Sequence, residues 1–304
     1  MTHSHHHDHH APPGNLTPAF AIGVGLNAAF VVIEAASGFF SSSLALLADA
    51  GHNLSDVLGL LLAWGAVYLS RRQPTPHRTY GLRRSSIMAA LINGVILYIA
   101  VGAIAWEAIG RLLHPETVKP LAMIVVAGIG VVINTITAML FMAGREHDLN
   151  VRAAFLHMAA DAAVSLGVVI GGAAIGITGW LWLDPALSLL IAAVIAYSTW
   201  DVLWHALELA LDSVPRGINP DEVRAYFAGL PGVTEIHDLH IWGMSTTETA
   251  LTVHLVRPGA AIDDDWLHEV AHELHERFGI VHPTIQIESG EGHHGCHLAP
   301  DEVV

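Results

Sequence analysis

Two short motifs each place an aspartate four residues after a histidine. They are His52 and Asp56, in the segment AGHNLSD, and His157 and Asp161, in the segment HMAAD. Residues four apart share one face of an α-helix, so each motif would present an imidazole beside a carboxylate. Two imidazoles and two carboxylates make a tetrahedral ligand set for Zn²⁺ or a similar divalent cation. The spacing therefore predicts one metal site, provided that the two helices touch.

Long apolar segments surround both motifs. Of the 304 residues 53% are hydrophobic and 13% are charged, whereas about a quarter of an ordinary soluble domain is charged. A helix needs about 20 apolar residues to cross a bilayer. Six segments satisfy this requirement and predict six transmembrane helices, at residues 18–40, 44–69, 85–112, 120–143, 153–177 and 185–209.

Carboxylates inside such segments point to function, because an ionised carboxylate in lipid is costly unless a cation cancels its charge. The alternative is that each His–Asp pair is a separate structural hydrogen bond. Two other acidic residues in these segments, Glu34 and Asp49, are interpreted as supporting the site rather than as direct ligands. Asp49 would orient His52 or carry protons.

The charge distribution divides the chain in two. Residues 1–212 hold nine Lys and Arg against thirteen Asp and Glu, and residues 213–304 hold four against fifteen. Long apolar runs stop after residue 212, and the pattern that follows is helix, strand, strand, helix, strand. We therefore expect an all-α transmembrane domain over residues 18–212 and a small cytoplasmic α+β domain of ferredoxin-like αββαβ order over residues 213–290. The basic footprint of a nucleic-acid-binding protein is absent.

Both ends of the chain are predicted to be cytoplasmic tails. Residues 1–17 contain six histidines and would bind metal through composition alone, although an expression tag has a similar composition. Residues 291–304 form a second tail with His and Cys. Arginine is concentrated in the loops after the second and fourth segments, seven residues against two cations in the other loops. The positive-inside rule then places those loops, and both termini, in the cytoplasm.

Three segments resemble one known family. SSSLALLADAGHNLSDVLGLLLA is similar to the second span, HMAADAAVSLGVVIGG to the fifth span and VTEIHDLHIW to the first cytoplasmic strand of the cation diffusion facilitator family, in its zinc-transporting branch of bacterial cation efflux proteins. The resemblance extends from about Phe20 to Glu288. It implies a homodimer in the inner (plasma) membrane that exports Zn²⁺ in exchange for protons by alternating access, with Cd²⁺ or Co²⁺ as further substrates. It implies a transporter and not an enzyme.

The resemblance also assigns residues. His52, Asp56, His157 and Asp161 match the family's transport site. Five further positions are similar to metal ligands of the cytoplasmic domain or tail, where Zn²⁺ would be a structural or regulatory ligand: His237, His254, His282, Glu288 and Cys296. His282 is placed just before the last strand.

Two alternative functions fit parts of the same sequence. A membrane metal sensor would bind zinc without moving it across the bilayer. A zinc peptidase is suggested by His268-Glu269-Val270-Ala271-His272, which matches the H-E-x-x-H signature. That signature needs a third ligand and a substrate cleft, and it arises easily in an acidic, His-rich helix, so we favour transport.

Overall fold

A computed structural model describes residues 18–70, 72–142, 149–259, 263–290, 296 and 298. Its first part consists of six long helices: α1 (Pro18–Ser41), α2 (Leu44–Ser70), α3 (Ser85–Leu113), α4 (Pro120–Met142), α5 (Leu149–Thr178) and α6 (Leu183–Ala210). Each predicted apolar segment coincides with one helix, and the largest difference is at α5, which begins at residue 149 rather than 153. The His-rich tail 1–17 and most of the tail 291–304 lie outside the described residues.

The helices have the composition of a membrane domain. Within the described part of the chain, four stretches are long and apolar enough to cross a bilayer: Ser85–Leu113, Pro120–Met139, Phe155–Thr178 and Leu183–Ala210. α1 contributes a shorter apolar stretch, Asn27–Ser41, and α2 carries five polar residues between Asp49 and Asp56. Large apolar side chains such as Trp106, Ile177 and Tyr197 are exposed on the helix surfaces, as is expected where lipid replaces water as the solvent.

Residues 18–58 and 97–196 form one compact unit. Its core consists of buried apolar side chains, among them Leu46, Met123, Val168 and Ile191. Glycines on the second half of α5 allow close packing there. A Cβ at Gly171 would collide with Leu187 of α6, and one at Gly172 would lie 3.1 Å from side-chain atoms of α4. Because a side chain at either position would require these neighbours to shift, the two glycines let α5 approach α4 and the Leu187 side chain of α6 closely.

The second unit contains the small mixed domain. Its elements are α7 (Pro220–Ala228), β1 (Glu235–Gly243), β2 (Thr249–Val256), α8 (Asp264–Phe278) and β3 (Ile280–Glu288). β2 lies in the centre of the sheet, antiparallel to β1 and parallel to β3. The two helices bury an apolar face against the sheet, with Phe227, Leu251, Leu255 and Leu274 inaccessible to solvent. The element order is the predicted αββαβ.

The beginning of β3 differs from the prediction. The strand starts at Ile280 rather than at Thr284, so His282 lies within the strand and not before it. The observed strand contains Pro283, and proline lacks the N–H that a central strand would need. β3 is at the edge of the sheet, where proline is tolerated.

Candidate metal centres

The two His-x-x-x-Asp motifs converge in the first unit. The His52 Nε2 atom of α2 lies 3.1 Å from Asp161 Oδ1 of α5. His157 Nε2 of α5 lies 3.3 Å from Asp56 Oδ2 of α2. Within each helix the corresponding nitrogen–oxygen distances are 3.8 Å and 3.6 Å. One ligand atom from each of the four residues lies within 4.8 Å of all the others.

The size of this group suits a tetrahedral ion. Ligand bonds of about 2.0–2.1 Å, typical of zinc with nitrogen and oxygen, separate the atoms at the corners of a tetrahedron by about 3.3 Å. The four nitrogen–oxygen separations range from 3.1 Å to 3.8 Å and bracket that value. Small side-chain movements are therefore sufficient for these atoms to coordinate a Zn²⁺-sized cation. Two carboxylates would neutralise its double charge.

One side of the group is more accessible than the other. The side chains of Asp161 and His52 are 4% and 17% exposed. Those of Asp56 and His157 are 36% and 43% exposed. Solvent therefore reaches the group mainly at Asp56 and His157.

Two buried carboxyl groups lie behind the site. Ser165 Oγ of α5 donates a hydrogen bond of 2.9 Å to Asp49, and Asn53 Nδ2 donates one of 3.0 Å to Glu34 of α1. Asp49 is therefore linked to α5 through Ser165. Asn53, the neighbour of His52, is tied to α1. These bonds fix the backbone on both sides of the four-residue group.

The start of α2 is held by a residue that the sequence did not indicate. Asp184 of α6 is fully buried. It accepts hydrogen bonds of 2.6 Å from Ser43 Oγ, 2.8 Å from Leu44 N and 3.3 Å from Ala45 N. The first N–H groups of a helix have no partner within that helix, and Asp184 satisfies two of them from another helix. The only sequence signal was an acidic residue at the start of an apolar segment.

A second group of potential ligands lies on the sheet of the second unit. The ligand atoms of His237, His254, Glu288 and Cys296 are all within 4.8 Å of one another. His254 Nδ1 is 3.2 Å from Glu288 Oε1 and 3.5 Å from Cys296 Sγ. His237 Nε2 is 3.5 Å from the same Glu288 oxygen. The strand register produces part of this arrangement, because His237 of β1 lies directly opposite His254 of β2.

The buried imidazole of His237 is a second observation in favour of a metal site on this sheet. The residue is 2% exposed. Among the described residues neither ring nitrogen makes a hydrogen bond, although each lies 3.5 Å from a carboxylate oxygen, that of Glu235 for Nδ1 and that of Glu288 for Nε2. Buried polar atoms are nearly always hydrogen-bonded, so an unsatisfied imidazole at this position is what a metal ligand would leave.

Other candidate ligands lie apart from both groups. His282 pairs in register with Ala250, and its ring contacts Tyr80 with 5.6 Å between ring centres. His268 and His272 of the H-E-x-x-H segment are exposed on α8. In the described ranges no group of three or more potential ligands contains any of these three histidines.

The apolar helices and the partly buried His/Asp group together define a membrane protein with ligands suited to a divalent cation. Two family models that match the chain identify its family more closely than the ligands alone. The family model described as the cation efflux transmembrane domain matches residues 20–209, and that described as the cation efflux protein cytoplasmic domain matches residues 215–290. The chain belongs to the cation efflux, or cation diffusion facilitator, family, in its zinc branch, as its sequence motifs predicted.

Similar proteins match along both domains. The chain is 36% identical over 302 residues to the zinc transporter ZitB of Escherichia coli, covering 98% of this chain and 96% of that protein. It is 35% identical over 285 residues to the metal cation efflux system protein CzcD of Cupriavidus metallidurans, covering 93% and 89%. It is 34% identical over 300 residues to the cadmium, cobalt and zinc/H(+)-K(+) antiporter of Bacillus subtilis, covering 95% and 93%.

Proposed function

We propose that this protein exports divalent metal, above all Zn²⁺, from the cytoplasm through the group formed by His52, Asp56, His157 and Asp161. The observation that carries the proposal is the convergence of two His-x-x-x-Asp pairs from α2 and α5 at tetrahedral spacing. The names of the relatives support zinc, with cadmium and cobalt as further substrates. In this proposal α1–α6 all cross the inner membrane, both termini are cytoplasmic, and the mixed domain is ferredoxin-like.

Transport would proceed by alternating access with proton exchange. Zn²⁺ enters from the cytoplasm, loses water and binds the four side chains, after which a helix movement opens the site to the opposite face. Protons compete with metal for imidazole and carboxylate, so an inward proton flow can drive the release of metal on the outside. The name of the Bacillus subtilis relative includes H⁺ as an exchanged ion, which supports antiport.

The mixed domain would bind regulatory zinc and form the contact between two copies of the chain. Its ligands in this proposal are His237, His254, Glu288 and Cys296. Contacts within the second unit give this domain a direct connection to α3. Arg83 pairs with Glu248 at 2.9 Å, and the Thr246 N–H donates to Ser86 Oγ at 3.1 Å. Metal bound to the domain would therefore bias the position of a transmembrane helix.

Zinc accumulation in proteoliposomes tests the function. With an acidic lumen and the cytoplasmic face outside, we expect an enclosed zinc-sensitive dye to report accumulation that a protonophore abolishes. In this orientation protons leave the acidic lumen, and their outward flow drives zinc into it. Binding of zinc without accumulation would contradict the proposal and would be the behaviour of a metal sensor.

Cys296 gives a specific test of the cytoplasmic site, because it is the one cysteine in the sequence. We expect zinc at 100 times its dissociation constant to slow maleimide labelling of the full-length protein by about 100-fold, since labelling requires the ion-free site. Mg²⁺, which prefers oxygen ligands, serves as the control ion. Loss of zinc protection in His254→Ala is expected. Labelling of the unaltered protein at the same rate with and without zinc would contradict the assignment.

A further inference from the structure

Asp238 occupies an irregular position in β1. The pairing of β1 with β2 is interrupted between His237 and His240, and Asp238 has a φ of 51°. This left-handed conformation is uncommon, and aspartate is among the residues that adopt it. Successive side chains of a regular strand point to opposite faces, whereas a bulge can redirect one of them. As a result, both His237 and Asp238 are close to His254 of the neighbouring strand.

The two nitrogens of His254 have different surroundings. Nδ1 faces the ligand group, 3.2 Å from Glu288 Oε1 and 3.5 Å from Cys296 Sγ. Nε2 is 3.4 Å from Asp238 Oδ2. A metal held by Glu288 and Cys296 would therefore bind Nδ1, and the proton on Nε2 would point to the Asp238 carboxylate.

Asp238 is itself fixed in place. Its second oxygen, Oδ1, lies 2.8 Å from His240 Nε2, at hydrogen-bond distance. The side chain is 13% exposed. Among the described residues, the ion-pair partners of Asp238 are His240 and His254, with no Lys or Arg competing for the carboxylate.

We propose that Asp238 is the positioning residue of the cytoplasmic metal site, orienting His254 and keeping the proton on Nε2 so that Nδ1 binds the divalent ion. The inference rests on the cytoplasmic metal site proposed above. Carboxylates that accept the second N–H of a ligating histidine fix its tautomer and ring orientation and increase its basicity. Their loss weakens metal binding by about 10- to 100-fold.

Cobalt binding by the full-length protein tests this role. The absorption band between a thiolate and Co²⁺ can arise only at Cys296, so it reports this site separately from the transport site and the His-rich tail. Asp238→Asn preserves the size of the side chain and the tolerance for positive φ but removes the charge. We expect its apparent Co²⁺ affinity to fall by about 10- to 100-fold, with a change in the Co²⁺ ligand-field spectrum that shows altered histidine geometry.

A second variant keeps the test decisive if Asp238→Asn does not fold. His240→Gln leaves the carboxylate but weakens one of its two contacts, so a smaller loss of Co²⁺ affinity is expected. Affinity and spectrum equal to those of the unaltered protein, in whichever of these variants folds, would overturn the positioning role. Absence of the thiolate band in the unaltered protein would instead overturn the cytoplasmic metal site itself.

Discussion

Replacing Asp161 by alanine is expected to reduce zinc transport to the level of vesicles without protein. Asp161 is the most buried member of the four-residue group and lies closest to His52, at 3.1 Å, as well as 3.6 Å from His157. Its loss removes one ligand and half of the negative charge that balances the cation. Loss of an outer-shell partner already costs 10- to 100-fold in metal affinity, so we expect the loss of this ligand to cost at least about 100-fold.

Uptake into proteoliposomes with an acidic lumen measures this effect. Asp161→Asn keeps the volume of the side chain without its charge and should be almost as inactive, which separates electrostatics from packing. Glu107→Gln is the matched control, because Glu107 is a half-exposed carboxylate of α3 that pairs with Arg111. Its zinc uptake should be unaltered. Unreduced uptake by a folded Asp161→Ala protein would show that metal crosses by another route.

The second large effect is expected on stability. Asp184→Ala removes the acceptor of three hydrogen bonds, leaving the Ser43 hydroxyl and the N–H groups of Leu44 and Ala45 without that partner. Loss of a helix cap costs about 0.5–2 kcal/mol, and a buried unsatisfied polar group costs about 1–3 kcal/mol. We therefore expect the free energy of unfolding to fall by about 2–4 kcal/mol.

Thermal unfolding in detergent, followed by the loss of the monodisperse peak in size-exclusion chromatography, checks this expectation. Glu116→Ala is the control, since the exposed Glu116 makes one surface ion pair with Arg111 at 3.3 Å. Exposed ion pairs contribute little, so the control should unfold close to the temperature of the unaltered protein. If Asp184→Ala unfolded at that temperature too, its role as the cap of α2 would be wrong.

Local sequence information predicted the helices and half of the site. Apolar runs marked the helices, one of them beginning at Ser85. Two others begin at Pro18 and Pro120, and proline is compatible with the first turn of a helix. The four-residue spacing placed each histidine beside its aspartate. Contact between α2 and α5 is non-local, since His52 and Asp161 are 109 residues apart. Only the family resemblance indicated it before the structure showed the four side chains together.

Other features depend on contacts or backbone shapes that no sequence pattern specifies. Asp184 caps a helix that begins about 140 residues earlier in the chain. Asp238 reaches His254 because β1 bulges, and alternation along a regular strand predicts the opposite face. His282 was expected just before β3, but the strand extends back to Ile280 across Pro283, and the edge position that tolerates this proline is a property of the whole sheet.

The close packing at Gly171 and Gly172 makes the second half of α5 the natural pivot for a tilt of that helix. Gly171 lies close to the Leu187 side chain of α6, and His157 lies fourteen residues earlier on the same helix. At a rise of 1.5 Å per residue, about 21 Å of helix separates His157 from Gly171. A tilt of α5 by about 5° around Gly171 would move His157 by about 1.8 Å. That displacement is nearly a whole zinc–nitrogen bond of about 2.0 Å, so in the transport that we propose a slight tilt of this helix would be enough to break a bond between His157 and the metal.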